Sequence, residues 1–527
     1  MTVLGNSAVL APERGHDGTE TPDHPDKSDI ERLGRQRPAI FQTALAEVAF
    51  VFAVVMSMVM SEYTISGFNI LLPEIADVLN IPDAQRTWPA AVPNLTTATL
   101  LLPFARLCDM YGGRVVFIGG HSWLLVWSLV SGFSRNPVML IICRAMQGIG
   151  AGAFLPASLA LLGQIYRPGP RKNLIYSIYG ASACVGFYFG IFMGAVTGQL
   201  LNWRWFFWVG AIIVFIALVA GCVSIPRHLN DRNPGLSMDW LGAATIVPGL
   251  VLVVYALTDG GSAPDGWRTP YIYVTFVIGG LLLCTSVYIE GWVAAQPLLP
   301  SDVFRPKGMT RLLFGLFCAY GVIGLFMFYA SYYSENVLRT TPLQTAAWFL
   351  PMALGGIILA LTGGFILHLL PGRILLVISG VGFILCVLLW AVMPSESSSI
   401  TFLYWAYVFP SMVGATVGVD IAFNVSNIFI TTSMPSRLQA TAGAVINTLL
   451  YLGMGFWLGI GELVVSTAKD MHDNEDLSLA EQYRIGFWTG VAVAGLAVCL
   501  LVTVDVGQAV ADMTADEKAR ADSNAAR

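Results

Sequence analysis

The chain has 527 residues, 56% of them hydrophobic and 12% charged, with a mean hydropathy of +0.68. These values exclude an ordinary soluble globular protein and imply a polytopic membrane protein. Its formal net charge of -5 is spread over termini and loops rather than gathered into a basic patch, so nothing in it points to nucleic acid.

Residues 1–40 are polar, rich in Asp, Glu, Pro and Gly, and lack an apolar signal core, which predicts a disordered cytoplasmic tail. Beyond them, apolar stretches of membrane-spanning length recur fourteen times, from 44–68 and 87–107 to 440–466 and 484–506. With the amino terminus inside, Arg106, Arg114, Arg167, Arg171, Lys172, Arg227, Arg305, Arg311 and Arg373 fall in loops on the inner side. The outer loops hold fewer basic residues, among them Arg86, Arg135, Arg204 and Arg268. This bias places both termini in the cytoplasm. The eight cysteines lie in or beside apolar stretches with no CxxC and no His/Cys ligand spacing, so neither a metal nor a cofactor is expected.

The first stretch contains Glu62 and Asn69 within SMVMSEYTISGFNILLP. The fourth, 137–163, carries Arg144 in an otherwise apolar run. An arginine at mid-bilayer costs about 2.5–3.5 kcal/mol on insertion scales, so it faces a protein interior or a water-filled cavity. Gln147 follows one turn later. Gly148, Gly150 and Gly152 then strip the backbone of side chains, which lets a neighbouring helix approach; for Gly148 and Gly152, packing is the plain role. A phosphate loop at Gly148–Ala153 is rejected, because such a loop follows a strand and opens into water. Glu62 and Arg144 fall at one depth when their helices run in opposite directions, and if both helices line one cavity they are expected to meet as a proton-responsive pair. A carboxylate and an arginine in one cavity can exchange between an ion pair and a neutral acid as water or cargo enters. The alternative is a Glu62 bonded permanently to nearby backbone or hydroxyls.

In the fifth stretch Gly186, Gly190 and Gly194 recur four apart on one face, and NWRWFFW (202–208) suits an aromatic belt at the membrane interface. Glu290 closes the eighth stretch near the inner face, where snorkelling accounts for it. In the twelfth, Asp420, Asn424 and Asn427 stand at i, i+4 and i+7 and share one helical face, the pattern of a water-lined wall. Asp420 is a candidate cargo or second proton site, against a purely structural hydrogen bond.

An internal repeat is also legible. Pro82 and Trp88 open the second stretch six apart, as Pro342 and Trp348 open the tenth, and Ala105 to Arg114 spans the same nine positions as Gly364 to Arg373. Two parallel six-helix halves with an inserted helix pair follow. The expected division is a tail 1–40, a first half 41–225, a linker with two extra helices 226–300, a second half 301–506, and a charged tail 507–527.

These residues resemble the fourteen-helix drug:proton antiporter branch of the major facilitator superfamily, particularly its fungal members. The resemblance rests on R-x-x-Q-G-x-G-A-G at Arg144, Gln147, Gly148, Gly150, Ala151 and Gly152. It also rests on Leu107, Asp109, Gly112 and Arg114 of the G-x-L-A-D-[RK]-x-G-R-[RK] loop motif. Ala105, Met110 and Gly113 depart from that motif. The antiporter signature of the fifth stretch keeps its glycines but reads Gly190-Ile191 where the family has Gly-Pro. In the first stretch Thr64 stands where the family's acidic motif has its Asp.

The resemblance implies an all-α membrane protein with a major facilitator fold, probing cargo with a cavity between two rocking halves. In that cavity Asn69, Gln147, Asp420, Asn424 and Asn427 would meet a small organic substrate, and Glu62, Arg144 and Asp420 would handle protons. Asp109 and Arg114 would form a cytoplasmic gate. The function it implies is proton-coupled efflux of small amphipathic molecules such as drugs, toxins or secondary metabolites. The alternative is an uptake symporter or metabolite carrier, which the missing proline favours. No HExxH, GxSxG or metal cluster supports an enzyme. A plasma-membrane monomer with both termini inside completes the expectation.

Overall fold

The computed structural model describes residues 36–504, apart from 83–84, 168–169, 228, 230–234, 262, 264–265, 367–369, 395–398, 435 and 472–476. Both expected tails lie outside these residues except for 36–40. The first six helices are α1 (Ala44–Val78), α2 (Trp88–Tyr111), α3 (Gly113–Ser131), α4 (Pro137–Ile165), α5 (Pro170–Leu200) and α6 (Arg204–Ser224). Two more follow: α7 (Trp240–Asp259) and α8 (Pro270–Tyr288), the latter ending in a π-turn at Ile289–Val293. The last six are α9 (Met309–Tyr332, with a π-turn at Tyr333–Val337), α10 (Pro342–Ile366), α11 (Gly372–Ala391), α12, α13 (Ser436–Met471) and α14 (Leu479–Leu501). The rod α12 runs Ile400–Leu403, through a π-turn at Tyr404–Val408, into Phe409–Ser433. Among the described residues, thirteen helices are long and apolar enough to cross a membrane, and α2 completes the fourteen at lower hydropathy. The protein is therefore an all-α, multi-pass membrane protein.

Local chemistry sets the helix ends. Thr43, Asn136, Asp239, Ser399 and Ser478 each cap an amino terminus by accepting a backbone N–H, and Ser478 with Glu481 forms a full capping box. Gly112, at φ 95°, makes the tight break between α2 and α3 that a side chain would strain.

The packing repeats eight helices on. The pairs α1·α5, α3·α4, α2·α4, α1·α6 and α3·α6 recur as α9·α13, α11·α12, α10·α12, α9·α14 and α11·α14. Between the two sets, α2 packs on α13 and α5 on α10, a pair of contacts that the same shift exchanges. Helices α7 and α8 pack mainly on each other, with α7 also touching α2 and α13 from outside.

Bare backbone permits the closest of these crossings. A β-carbon at Gly194 would stand 2.5 Å from Gly67 O, and one at Gly190 2.7 Å from Tyr63 O, so α1 and α5 touch along Gly67, Gly190 and Gly194. Gly186 continues the seam against Val59, and Gly148 lies on Pro93 of α2, with Gly152 one turn further on facing Thr97. Where α1 meets α6, Tyr63 stacks on Phe206 at 4.5 Å and donates to Phe206 O at 2.7 Å. The segment 202–208 does not form a uniform interface belt. Trp203, Phe206 and Phe207 turn into the core and of the rings only Trp205 is well exposed, because the α1 crossing needs large rings to fill it.

Candidate functional site

Arg144 is fully buried on α4. Its Nε donates to Pro89 O at 3.1 Å, and its Nη1 donates to Thr64 O at 2.9 Å and Gln147 Oε1 at 3.0 Å. The guanidinium lies 4.0 Å from the centre of the Phe68 ring. The first of these bonds has a cause in the sequence. Pro93 has no N–H, so the carbonyl of Pro89, one turn earlier in α2, has no helical partner and Arg144 supplies one. Gln147 relays the contact onward by donating to Ser128 Oγ of α3 at 3.2 Å. Thr96 and Thr97 close the same α2–α4 seam through Ala145 O and Gly148 O. Arg144 and Gln147 thus join α1, α2, α3 and α4.

The expected Glu62–Arg144 pair is not formed. Arg144 reaches the face of α1 that carries Thr64 and Phe68. Phe68 is six residues past Glu62, a rotation of about 120° at 100° per residue, so Glu62 points elsewhere. It lies within electrostatic reach of the Tyr451 hydroxyl of α13. Tyr451 also meets Ser61 Oγ at 3.3 Å.

Around Glu62 six helices contribute to one cluster. Cys184 of α5 donates its thiol to Asp420 Oδ1 of α12 at 3.9 Å and lies within electrostatic reach of Glu62 as well. Tyr320 of α9 lies within electrostatic reach of Asp420, Glu62 and Cys184, and Tyr179 of α5 within reach of Glu62. Gly356 of α10 closes the cluster. A β-carbon there would lie 2.8 Å from Cys184 Sγ and 3.2 Å from Asp420 Oδ2. Apart from Tyr179, about a third of the way along α5, these residues lie near the middle of their helices. Glu62, Cys184 and Asp420 are each only partly buried, while the three tyrosines around them are buried. One carboxylate thus comes from the first six helices and one from the last six.

The remaining candidates make their polar contacts within their own helices or away from this cluster. Asn69 is buried and donates to Ile65 O of its own helix. Asn424 Nδ2 donates to Asp420 O at 2.8 Å, and Asn427 is exposed and donates to Phe423 O. Both asparagines thus donate to carbonyls one turn back on α12, Asn424 to that of Asp420 itself. Asp109 is exposed in the last turn of α2 and within electrostatic reach of Arg106. Arg114 does not pair with it; its Nη2 donates to Cys222 O at 3.0 Å, where it satisfies one of the last carbonyls of α6.

Several groups escaped the sequence reading. Tyr179, Cys184, Tyr320 and Tyr451 look like ordinary apolar-segment residues until the helices are assembled. Glu47 is buried at the start of α1 and bound by Arg171 through Nε at 2.8 Å and Nη2 at 2.6 Å, with Tyr166 donating at 3.0 Å. Its signal was present as the one acid inside the apolar run FQTALAEVAF.

Fourteen helices that repeat their pairings eight apart, with titratable groups gathered where the two sets meet, define a membrane transporter. The chain belongs to the Major Facilitator Superfamily, whose profile matches residues 51–458. It is 31% identical to the efflux pump terJ of Aspergillus terreus over 479 residues, 89% of each chain. It is also 32% identical to the low affinity ammonium transporter of Saccharomyces cerevisiae over 427 residues, 80% of each. A solved structure of the peptide transporter POT shares the fold with a TM-score of 0.61 at 14% identity, covering 91% of this chain and 99% of that one. The family and these relatives are transporters, not enzymes.

Proposed function

We propose that the protein is a proton-coupled exporter of small amphipathic organic molecules, working at the plasma membrane as a monomer with both termini in the cytoplasm. In this reading residues 41–225 and 301–506 rock against each other, and 226–300 connects them. The observation that carries it is that Glu62 of one half and Asp420 of the other both lie within electrostatic reach of Cys184 and Tyr320. A carboxylate buried among apolar helices carries its charge at a cost, and either a proton or a polar cargo relieves that cost. Cargo and proton then compete for the same groups, which is the requirement for exchange. Arg144 is assigned to the scaffold that positions α1 beside this site, rather than to the proton step. The efflux relative supports export.

The test is transport in proteoliposomes under an imposed pH gradient, with Glu62→Gln and Asp420→Asn beside the wild type. Each variant is expected to lose the response to the gradient. Proton-driven transport that persists in Glu62→Gln removes Glu62 as a proton carrier. An uptake carrier on the same fold is the second reading, favoured by the ammonium-transporter relative. It predicts accumulation rather than depletion of cargo in cells expressing the protein.

A further inference from the structure

We infer that Arg106 is a clasp that fastens the connection between α8 and α9 to the end of α2, and that its release is part of the rocking of the two halves. Arg106 Nη2 donates to Gln296 O at 3.2 Å and to Pro297 O at 2.5 Å. Both carbonyls belong to the stretch QPLLP, where Pro297 and Pro300 hold the backbone extended and remove donors that could otherwise fold it onto itself. The carbonyls are therefore presented outward, and a guanidinium is well suited to take two acceptors at once.

The other attachments of this connection explain why one arginine matters. Leu298 and Val303 are buried in the core, and Ser301–Phe304 touches α9 and α13, so the strap belongs to the second set of helices. On the other side, Gln296 Oε1 accepts from Ser237 N at 2.8 Å and its Nε2 donates to Gly235 O at 3.0 Å, which ties the strap to the chain entering α7. Glu290 Oε2 accepts from Leu299 N at 3.0 Å. Snorkelling therefore does not account for Glu290; its side chain turns back onto the strap. Its other oxygen stands over Gly242 beside Asp239 Oδ2, and among the described residues neither oxygen has a hydrogen-bond partner. Arg106 lies within electrostatic reach of Glu290 and also of Asp109, three residues on along α2. Asp109 holds its charge one turn from Arg106 on α2, and the strap carbonyls are what the guanidinium holds. Because Arg106 is only half-buried, water can take over both carbonyls when the clasp opens, so the contact is reversible.

Arg106 is a positioning residue: it touches neither Glu62 nor Asp420. The inserted helix pair then takes part in the movement instead of riding outside it. This needs only that the halves move, so it can stand if the direction of transport or the proton step is assigned differently.

The test is amide hydrogen exchange across the full-length protein in lipid nanodiscs, comparing wild type, Arg106→Ala, Arg106→Lys and Gln296→Ala, with cargo binding and transport measured on the same samples. Arg106→Ala is expected to speed exchange of the amides within 294–304 by about tenfold or more while α1 to α6 keep wild-type protection. It should change the transport rate with cargo affinity within about twofold, a shift under 1 kcal/mol. Arg106→Lys should recover part of the protection, and Gln296→Ala should loosen 235–242 while 298–304 stays protected. Wild-type exchange of 294–304 in Arg106→Ala overturns the clasp. So does a general loss of protection through α1 to α6, which would make Arg106 a folding residue, or a tenfold loss of cargo affinity.

Discussion

Arg144 is a fully buried cation whose bonds run to neutral oxygens, with an aromatic face completing its surroundings. Its role is geometric. It occupies an orphaned carbonyl beside Pro93 and a second carbonyl on α1, and only a planar fork reaches both while also holding Gln147. Lysine offers one ammonium and cannot span those acceptors. Arg144→Lys is therefore expected to destabilise the protein by roughly 2 kcal/mol, the scale of a charged hydrogen bond lost in a buried site. A thermal unfolding midpoint in detergent equal to that of wild type would remove Arg144 from this role. The sequence announced the arginine plainly, because a permanent charge in an apolar run needs a reason. It did not announce the partners, since backbone carbonyls carry no residue label and the gap left by Pro93 becomes useful only once α2 and α4 are side by side. That is also why a carboxylate, the labelled alternative, was the expected partner.

At the scale of single helices, spacing in the sequence maps directly onto contacts. Gly186, Gly190 and Gly194 share a face at four-residue intervals, and that face is the α1 seam. A methyl group at position 190 would need α1 and α5 to part, and overpacking of this kind costs about 1–3 kcal/mol. Gly180 lies on the same helix with nothing within 4 Å of its added β-carbon, so it serves as the internal control. Gly190→Ala is expected to lower the unfolding temperature and the folded yield, and Gly180→Ala to leave both unchanged. Equal behaviour of the two variants would show that the seam tolerates separation. Other features of the elements were not legible. The π-turns at Tyr333–Val337 and Tyr404–Val408 follow from packing in the assembled bundle and leave no local pattern. The aromatic run at 202–208 was legible in composition but not in direction, because the same rings suit an interface or a core until the neighbouring helix is known.

Across the whole molecule, the order and pairing of helices follow the Pro/Trp and Gly/Arg spacings read from the chain, whereas the Glu62–Asp420 cluster could not be read. Its members come from α1, α5, α9, α10, α12 and α13, so the cluster exists only after both sets of helices have closed on each other. Asp109 separates from it by depth. Gly455, four residues beyond Tyr451 on α13, packs against Asn94 and Leu95 of α2, and Asp109 lies fifteen residues past Asn94. At 1.5 Å per residue, and allowing for the turn between Tyr451 and Gly455, Asp109 stands on the order of 15 Å along the bundle from the carboxylate cluster. A side chain that far away cannot touch cargo held at the cluster, yet it sits beside Arg106 at the end where α2 meets the strap. Asp109→Asn keeps the shape of the side chain and removes its charge from beside Arg106, so it should leave the cluster intact. The expected result is slower transport with nearly unchanged equilibrium binding of cargo. A fall in cargo affinity beyond about tenfold, or 1.4 kcal/mol, would place Asp109 in the cargo site and overturn its role in gating.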